Sequence, residues 1–349
     1  MNRIRLLITR IDRIGDVVLS TPIPREVKRE YPNSFVAMLV RDYTKDIYKN
    51  NPYVDEIIVY DKDENDFDFW QMMKRLRKYK FNHAFMLLPD ERLNWLLFFS
   101  SIKIRIGVGH KLYQFLSFTK YVNRRKYIPL RHEADYCLDM IRKIGIEPQS
   151  IDPEIYLSKD EKRKVSEIKK ILSNSKKTIV GINSTSGNSA PNLQPEEYKK
   201  IINKLLDIDN IKVVVTDYNP PAELLNINGV DYLNKGKRLR ESILNYAAVD
   251  ILISSSTGPM HIAAALNIKT ISLFCPLTAC SPKLWGPLGN ISELVLPHES
   301  YCSNVCPGDP KNCDFAGDGG INAELVVNKA LKLITHLTQN CNSERNGVE

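Results

Sequence analysis

Short apolar runs of four to six residues, many of them β-branched, alternate along this chain with longer stretches whose apolar residues recur at helical spacing. Parallel strands need crossover connections, which are usually helices, so this alternation predicts parallel βαβ units. The runs predict nine strands, at Ile4–Thr9, Phe35–Val40, Glu56–Tyr60, His83–Leu88, Arg105–Val108, Thr178–Asn183, Lys212–Thr216, Ile251–Ser254 and Thr270–Phe274.

The alternation is interrupted once, around Pro153, and then resumes. An amphipathic stretch, Glu133–Ile144, precedes this point, and a charged helical stretch, Lys159–Ile171, follows it. A chain of 349 residues exceeds the size of one ordinary core. We therefore predict two doubly wound α/β domains, residues 1–153 and 154–349, with a terminal helix at 322–337 that could pack on either domain.

The net charge of +8 comes from the first part of the chain. Residues 1–150 hold 27 Lys and Arg against 19 Asp and Glu, and the remaining residues hold 22 of each. The excess is concentrated in the basic block, residues 101–132, which contains no acidic residue. Such a block favours an anionic partner, although a solvated surface is an equal alternative. Nucleic acid is disfavoured because neither an aromatic RNA-binding motif nor a helix-turn-helix pattern accompanies the charge.

Apolar runs and cysteines bear on location. No apolar run reaches the length of a membrane span, and the amino-terminal residues lack the pattern of a signal peptide. The cysteines are scattered like reduced thiols, so we expect a cytoplasmic protein. Cys302, Cys306 and Cys313 could bind zinc with His298, but their irregular spacing favours free thiols or a local disulfide.

The first βα turn, residues 9–16, contains one glycine, Gly15, followed by Asp16. A dinucleotide-binding turn needs three glycines, so NAD binding is excluded here. Gly15 permits a bend that places the Asp16 carboxylate at a helix N-terminus beside the carboxyl end of the first strand, where ligands of such sheets bind. A helix cap is the alternative function of Asp16.

Two segments of the second half resemble phosphate-binding turns. Residues 250–266 predict a strand, a tight turn at Thr257-Gly258 and a helix, whose N-terminal amides and dipole favour a diphosphate. His261 would lie in the first turn of this helix. Residues 181–187 supply hydroxyls and amides after another strand. A Ser/Thr cap and an ordinary polar loop are the respective alternatives.

Together these motifs resemble those of the lipopolysaccharide heptosyltransferases of glycosyltransferase family 9. The resemblance extends from residues 10–16 through Thr21-Pro22, Lys28–Pro32 and Asn51–Ile57 to residues 250–266. It implies a GT-B architecture of two Rossmann-like domains facing across a cleft, the first binding the acceptor and the second the nucleotide sugar. It also implies inverting transfer of heptose from ADP-heptose to the lipopolysaccharide core or a related surface glycan, with Asp16 as the general base.

The resemblance and the charge pattern predict the other site residues. Donor-binding residues are Ser184, Thr185, Ser186, Lys237, Ser256, Thr257, Gly258, Pro259, Met260 and His261. Acceptor-binding residues are Arg13, Lys111, Arg124, Arg125 and Arg131. No metal or cofactor is expected, because the helix N-terminus would stabilise the leaving diphosphate. The expected partners are a nucleotide sugar, a phosphorylated glycolipid and, through peripheral contact, the inner membrane leaflet.

Two positions depart from the family pattern. Residues 190–192, Ala-Pro-Asn, lack the Lys or Arg that is frequent there, and Ser256 replaces an Asp. Both departures concern the donor side, so a transferase using another donor sugar and a non-catalytic sugar-nucleotide-binding protein stay open as alternatives. An epimerase on a similar fold would not need the Gly15-Asp16 turn.

Overall fold

The computed structural model describes residues 3–61, 67–124, 127–173 and 177–345, with side chains up to residue 335. It divides into two compact units between Leu157 and Ser158. Each unit contains one six-stranded sheet in which all the recorded strand pairs are parallel. The chain is therefore built from two α/β domains.

The sheet of the first domain has the strand order β3-β2-β1-β4-β5-β6. Its strands are β1 (Arg5–Thr9), β2 (Phe35–Val40), β3 (Glu56–Val59), β4 (His83–Met86), β5 (Ile104–Val108) and β6 (Lys120–Val122). Its helices are α1 (Ile14–Val18), α2 (Pro22–Glu30), α3 (Phe69–Lys78), α4 (Glu91–Phe99), α5 (Leu112–Leu116) and α6 (Glu133–Arg142). The central strands are buried on both faces, which explains their continuous apolar runs.

The sheet of the second domain has the strand order β12-β11-β10-β7-β8-β9. Its strands are β7 (Thr178–Asn183), β8 (Ile211–Val215), β9 (Asp231–Tyr232), β10 (Ile251–Ser255), β11 (Lys269–Leu273) and β12 (Ser292–Val295). Its helices are α7 (Lys159–Ser173), α8 (Pro195–Leu206), α9 (Leu239–Ala247), α10 (Gly258–Ala265), α11 (Pro282–Trp285), α12 (Glu299–Asn304) and α13 (Ala323–Arg345). Viewed from β9, this order repeats that of the first sheet.

The nine predicted strands are confirmed to within two residues at each end. Three short strands, β6, β9 and β12, were not predicted, and two of them form the edges of the second sheet while β6 forms an edge of the first. The terminal helix α13 packs within the second domain, where Glu197 of α8 accepts a hydrogen bond from the Ala323 amide (3.1 Å). In the part of the chain that the structure describes, no helix is long and apolar enough to cross a membrane.

Candidate functional site

Both sheets have a switch point, where the chain leaves two adjacent strands toward opposite sides. In the first sheet this point lies between β1 and β4, and in the second between β7 and β10. Ligands of open α/β sheets bind beside the carboxyl ends of strands at such points. Asp16 follows β1, the Ser184 loop follows β7, and Thr257 follows β10. The motifs singled out in the sequence therefore lie at the two switch points.

Asp16 lies in the first turn of α1 rather than at its cap. The cap position belongs to Arg13, whose side chain makes no capping hydrogen bond. The Asp16 side chain is 21% exposed, and its Oδ1 accepts a hydrogen bond from Nη2 of Arg10 (2.7 Å). Within the described ranges no partner of Oδ2 is recorded. The structure thus holds this carboxylate in place by one oxygen and leaves part of it accessible to solvent.

Arg10 is the buried cation around which this site is arranged. Its guanidinium contacts three carboxylates: Nε lies 2.8 Å from Asp12 Oδ1, and Nη2 lies 2.7 Å from Asp16 Oδ1 and 3.5 Å from Glu133 Oε1. Nε and Oδ1 of Asp12 form an ion pair but are not aligned as a hydrogen bond. Glu133 is buried and also binds Nη1 of Arg124 (2.7 Å). We call Arg10, Asp12, Asp16, Glu133 and Arg124 the Arg10 network.

The Arg10 network contains more carboxylates than cations, and the pKa of Asp12 is raised within it. Burial raises the pKa of Asp12 to about 6, and the negative charge of Asp16 adds to this effect, while Arg10 opposes it. Asp12 therefore takes up a proton at a pH closer to neutrality than an ordinary aspartate does. Asp12 and Glu133 were not predicted as site residues, and the contact of Glu133 with Arg10 depends on the approach of α6 to the end of β1.

The predicted acceptor-binding cations differ in their surroundings. Arg13 and Lys111 are exposed. Arg124 binds Glu133 within the Arg10 network, and Arg131 binds Asp135 (2.8 Å) and Asp139 (2.6 Å) of α6. Arg125 lies outside the described residues. Arg13 and Lys111 are therefore the described members of this set whose charge faces solvent.

The N-terminus of α10 has backbone amides that no side chain caps. Thr257 is the cap residue, but its hydroxyl bonds the Ser255 carbonyl (3.4 Å) instead of a helix amide. Pro259 in the first turn has no N–H, so the amides of Gly258 and Met260 point from this end. Such an end attracts an anion. His261 is buried in the same turn, and Ser256 is half-buried before it.

The loop after β7 is organised by a buried carboxylate, Asp217, that the sequence analysis missed. Asp217 accepts hydrogen bonds from the backbone amides of Ser184 (3.0 Å) and Thr185 (2.8 Å) and from their hydroxyls (2.9 and 2.6 Å). Burial raises its pKa, and these four donors oppose the rise. The amides and hydroxyls of Ser184 and Thr185 are therefore committed to Asp217, which fixes the shape of the loop. Asp217 follows β8 as Asp16 follows β1, and this placement was the available signal.

Ser186 and Lys237, which were also predicted to bind the donor, lie in different loops of the second domain. Ser186 is half-buried, and its carbonyl accepts a hydrogen bond from the Ser189 hydroxyl (2.6 Å). Asn192, in the stretch without the expected cation, donates to the Ser184 carbonyl (2.6 Å) and so braces the loop. Lys237 is exposed after β9, two strands from β7, and pairs with Glu241 (3.6 Å).

The three clustered cysteines form no disulfide among the described residues. Cys302, Cys306 and Cys313 are free thiols, and Cys313 lies 3.7 Å from the hydroxyl of Tyr301. His298 caps α12, where its Nδ1 accepts a hydrogen bond from the Ser300 amide (3.3 Å). No group of three or more His, Cys, Asp or Glu residues with metal-binding geometry is found among the described residues. The free thiols agree with one of the two states expected from their spacing.

The chain is similar to known proteins in sequence and in structure. Residues 69–307, more than half of the chain, match the family model described as glycosyltransferase family 9 (heptosyltransferase). A Haemophilus influenzae protein provisionally named a glycosyltransferase is 25% identical over 339 residues, which cover 93% of this chain and 96% of that protein.

Two solved structures have the same fold. A glycosyl transferase family 9 protein from Veillonella parvula aligns with a TM-score of 0.78 at 20% identity, covering 95% of this chain and 97% of that one. The ADP-heptose lipopolysaccharide heptosyltransferase II of Escherichia coli aligns with a TM-score of 0.69 at 19% identity, covering 84% of this chain and 90% of that one. At these identities the likeness shows the architecture, which is the GT-B architecture.

Proposed function

Because this chain belongs to glycosyltransferase family 9, the heptosyltransferase family, we propose that it transfers heptose from ADP-heptose to a lipopolysaccharide core or related surface glycan. Asp16 is the general base in this proposal, and the configuration at the transferred sugar is inverted. The observation that carries the proposal is the Asp16 carboxylate, which is partly accessible and anchored to Arg10 beside the switch point of the first sheet. A carboxylate so placed is suited to accept a proton from a bound hydroxyl.

The proposed reaction is a single displacement. As the acceptor oxygen attacks the anomeric carbon, its proton passes to Asp16, and the bond between that carbon and the diphosphate oxygen breaks. The bonding electrons leave with the nucleoside diphosphate. Attack opposite the leaving group inverts the anomeric carbon. Arg10 is a positioning residue here, because it fixes one oxygen of the Asp16 carboxylate.

The second domain supplies the donor side of the proposal. The amides of Gly258 and Met260 at the N-terminus of α10 would bind the diphosphate, and its growing negative charge would be stabilised by the helix dipole. Ser256, Thr257 and His261 line the same turn. Asp217 would keep the Ser184 loop in the shape that the diphosphate meets, which makes it a positioning residue of the donor site.

Metal independence is part of the proposal. The chain contains Asp-x-Asp triplets at 61–63, 66–68 and 207–209, a pattern that metal-using transferases often employ. The triplet 207–209 lies between α8 and β8, at the amino end of β8 and hence at the edge of the sheet opposite Thr257. The other two fall partly outside the described residues. Transfer that persists in excess EDTA is the expected result.

The alternatives concern the donor sugar and catalysis itself. A transferase using another nucleotide sugar is compatible with Ser256 and with the missing cation at 190–192. A sugar-nucleotide-binding protein without transferase activity is the second alternative. A thermal-shift series with ADP-, GDP- and UDP-sugars addresses the first, because a ligand that binds the folded state raises the unfolding temperature.

We place the protein in the cytoplasm, in peripheral contact with the inner membrane leaflet.

The test of the proposal is a transfer assay with ADP-heptose and an acceptor prepared from heptose-deficient lipopolysaccharide. We expect Asp16→Asn to lower kcat by about 10²- to 10⁴-fold, since general base catalysis contributes about that much, while the KM for the donor changes little. NMR of the product reports whether the anomeric configuration is inverted.

Asp55 provides the matched control. It is also an aspartate paired with a cation, Lys28 (2.7 Å), but it is exposed and precedes β3, so it lies at the amino edge of the same sheet. Asp55→Asn should keep the native rate. Equal rates for Asp16→Asn and native protein would exclude Asp16 as the base, and donor binding without transfer by the native chain would favour the non-catalytic alternative.

A further inference from the structure

The segment around α5 has its polar side chains inside and its apolar side chains outside. Leu112, Phe115, Leu116 and Phe118 are 74, 77, 52 and 83% exposed. Leu112, Phe115 and Leu116 are spaced i, i+3 and i+4, so they share one face of the helix. We call these four residues the apolar patch. A surface helix ordinarily turns such a face toward the core, so this orientation needs a reason.

Polar contacts hold α5 in this orientation. Gln114 is buried on the opposite face, where its side chain accepts a hydrogen bond from the Lys111 amide (2.9 Å) and donates one to the Val108 carbonyl (3.0 Å). Asn94 of α4 donates to the Ser117 hydroxyl (2.9 Å) and accepts from the Thr119 hydroxyl (3.0 Å). Because these buried groups have their partners, turning α5 over to bury the apolar patch would leave them unpaired. The exposed orientation is therefore the stable one.

The segment that carries the apolar patch is also positively charged. Lys103, Lys111 and Lys120 are exposed, and the described residues form no recorded ion pair with any of them. The basic block around them contains no acidic residue. A surface that combines projecting leucine and phenylalanine side chains with lysines is complementary to an anionic lipid bilayer, in which acyl chains lie beneath negative headgroups.

We propose that the apolar patch inserts into the interfacial region of an anionic lipid bilayer while Lys103, Lys111 and Lys120 contact the lipid headgroups. This inference names the surface behind the peripheral membrane contact of the proposed function, but it does not depend on the donor or on Asp16. A single turn of helix inserts only to the depth of its side chains, which makes the contact reversible. The first domain would thereby be held where a lipid-anchored acceptor is found.

The test measures binding of the full chain to vesicles by flotation. One set of vesicles contains phosphatidylethanolamine and phosphatidylglycerol, and the other contains phosphatidylcholine alone. We expect native protein to bind the anionic set and to dissociate at high salt. The double variant Leu112→Gln/Phe115→Gln should lose on the order of tenfold or more in partitioning, because two apolar side chains no longer leave water. Lys103→Gln/Lys120→Gln should weaken binding to the anionic set only.

Ile171 provides the matched control. It is 78% exposed, like the apolar patch, but it lies alone on the charged helix α7 of the second domain. Ile171→Gln should bind vesicles as native protein does. All five altered positions are exposed, and circular dichroism is expected to show native folding in each variant.

Three results would overturn the inference. The first is that native protein does not bind vesicles, and the second is that the double variant binds them as well as native protein does. The third is a concentration-dependent dimer that the double variant abolishes, because this would assign the apolar patch to a second copy of the chain. Transfer to a delipidated, soluble acceptor separates the two proposals. The double variant should retain this transfer, whereas vesicle binding by a native chain that transfers nothing would contradict the proposed function and leave the membrane surface intact.

Discussion

The two domains share one strand order, yet they supply their candidate site groups in different chemical form. In the first domain the switch point is occupied by the Arg10 network, in which three carboxylates outnumber two arginines and Asp16 is partly accessible to solvent. In the second domain the corresponding point presents the amides at the N-terminus of α10, and a buried carboxylate, Asp217, organises the loop after β7. In the proposed function, one scaffold would thereby serve proton transfer in one half and anion binding in the other.

The largest effect expected from this comparison follows removal of the buried cation. Arg10→Met leaves Asp12, Asp16 and Glu133 without their shared partner, and we expect a loss of about 3–5 kcal/mol in the free energy of unfolding at pH 7. Urea unfolding measures this loss. Arg240 of the second domain is the control, because it is also buried and pairs with a carboxylate, Glu161 (2.6 Å). An equal loss in Arg240→Met would show that the three carboxylates around Arg10 do not increase its contribution to the free energy of unfolding.

The next largest effect concerns Asp217, the buried carboxylate of the second domain. Asp217→Ala leaves two amides and two hydroxyls without their acceptor, so we expect a loss of about 2–3 kcal/mol in stability and weaker donor binding. Calorimetric titration with the donor measures the binding.

Asp250 is the control for Asp217. It accepts a hydrogen bond from the Ile179 amide (2.8 Å), but it precedes β10 at the amino edge of the sheet. Asp250→Ala should lower stability while donor affinity stays native. Parallel losses of donor affinity in both variants would mean that Asp217 acts only through general stability.

A smaller effect depends on pH and concerns Asp12. Burial raises its pKa to about 6 in the folded protein, above its ordinary value of 3.8, so the ionised form destabilises the fold at neutral pH. This penalty is complete above pH 6 and vanishes as the pH falls toward 4. Relative to Asp12→Asn, the native chain should therefore gain up to about 3 kcal/mol as the pH is lowered from 7 to 4. Unfolding curves at several pH values measure the difference, and a constant difference would contradict the raised pKa.

The smallest effect concerns the uncapped end of α10. Because the Thr257 hydroxyl makes no capping bond, Thr257→Val should change stability by less than about 0.5 kcal/mol, whereas loss of an ordinary cap costs about 1 kcal/mol. Donor affinity should fall about fivefold if the hydroxyl contacts the diphosphate. Asp68→Ala is the reference, since Asp68 does cap α3 through the amides of Trp70 and Gln71. A stability loss equal to that of Asp68→Ala would show that Thr257 serves as a structural cap.

Residue patterns predicted the parts of the fold that are buried on both sides. Strands such as β2 and β7 match their predicted bounds because a central parallel strand is a continuous apolar run. The missed strands β6, β9 and β12 have two to four residues and a neighbour on one side, so their sequences carry little periodicity.

The candidate site was predictable where it depends on local sequence. Asp16 and Thr257 follow strands directly, so the order of elements placed them at the carboxyl edges of their sheets. The Arg10 network and the clamp of Asp217 on Ser184 join residues far apart in the chain, for example Arg10 and Glu133. The ion pairs of Arg131 with Asp135 and Asp139 could not be predicted either, because helical spacing does not determine where a long side chain points.

The strand ladders have a consequence for how the chain is made. Each described ladder closes within one half, on one side of the division between Leu157 and Ser158. A nascent chain that has cleared the ribosome to this point therefore holds the partners of all its strands, and the first half can fold before the second is synthesised. If the first half folds early, the Arg10 network is assembled while the second domain is still being translated. The two parts of the proposed site would then form at different times.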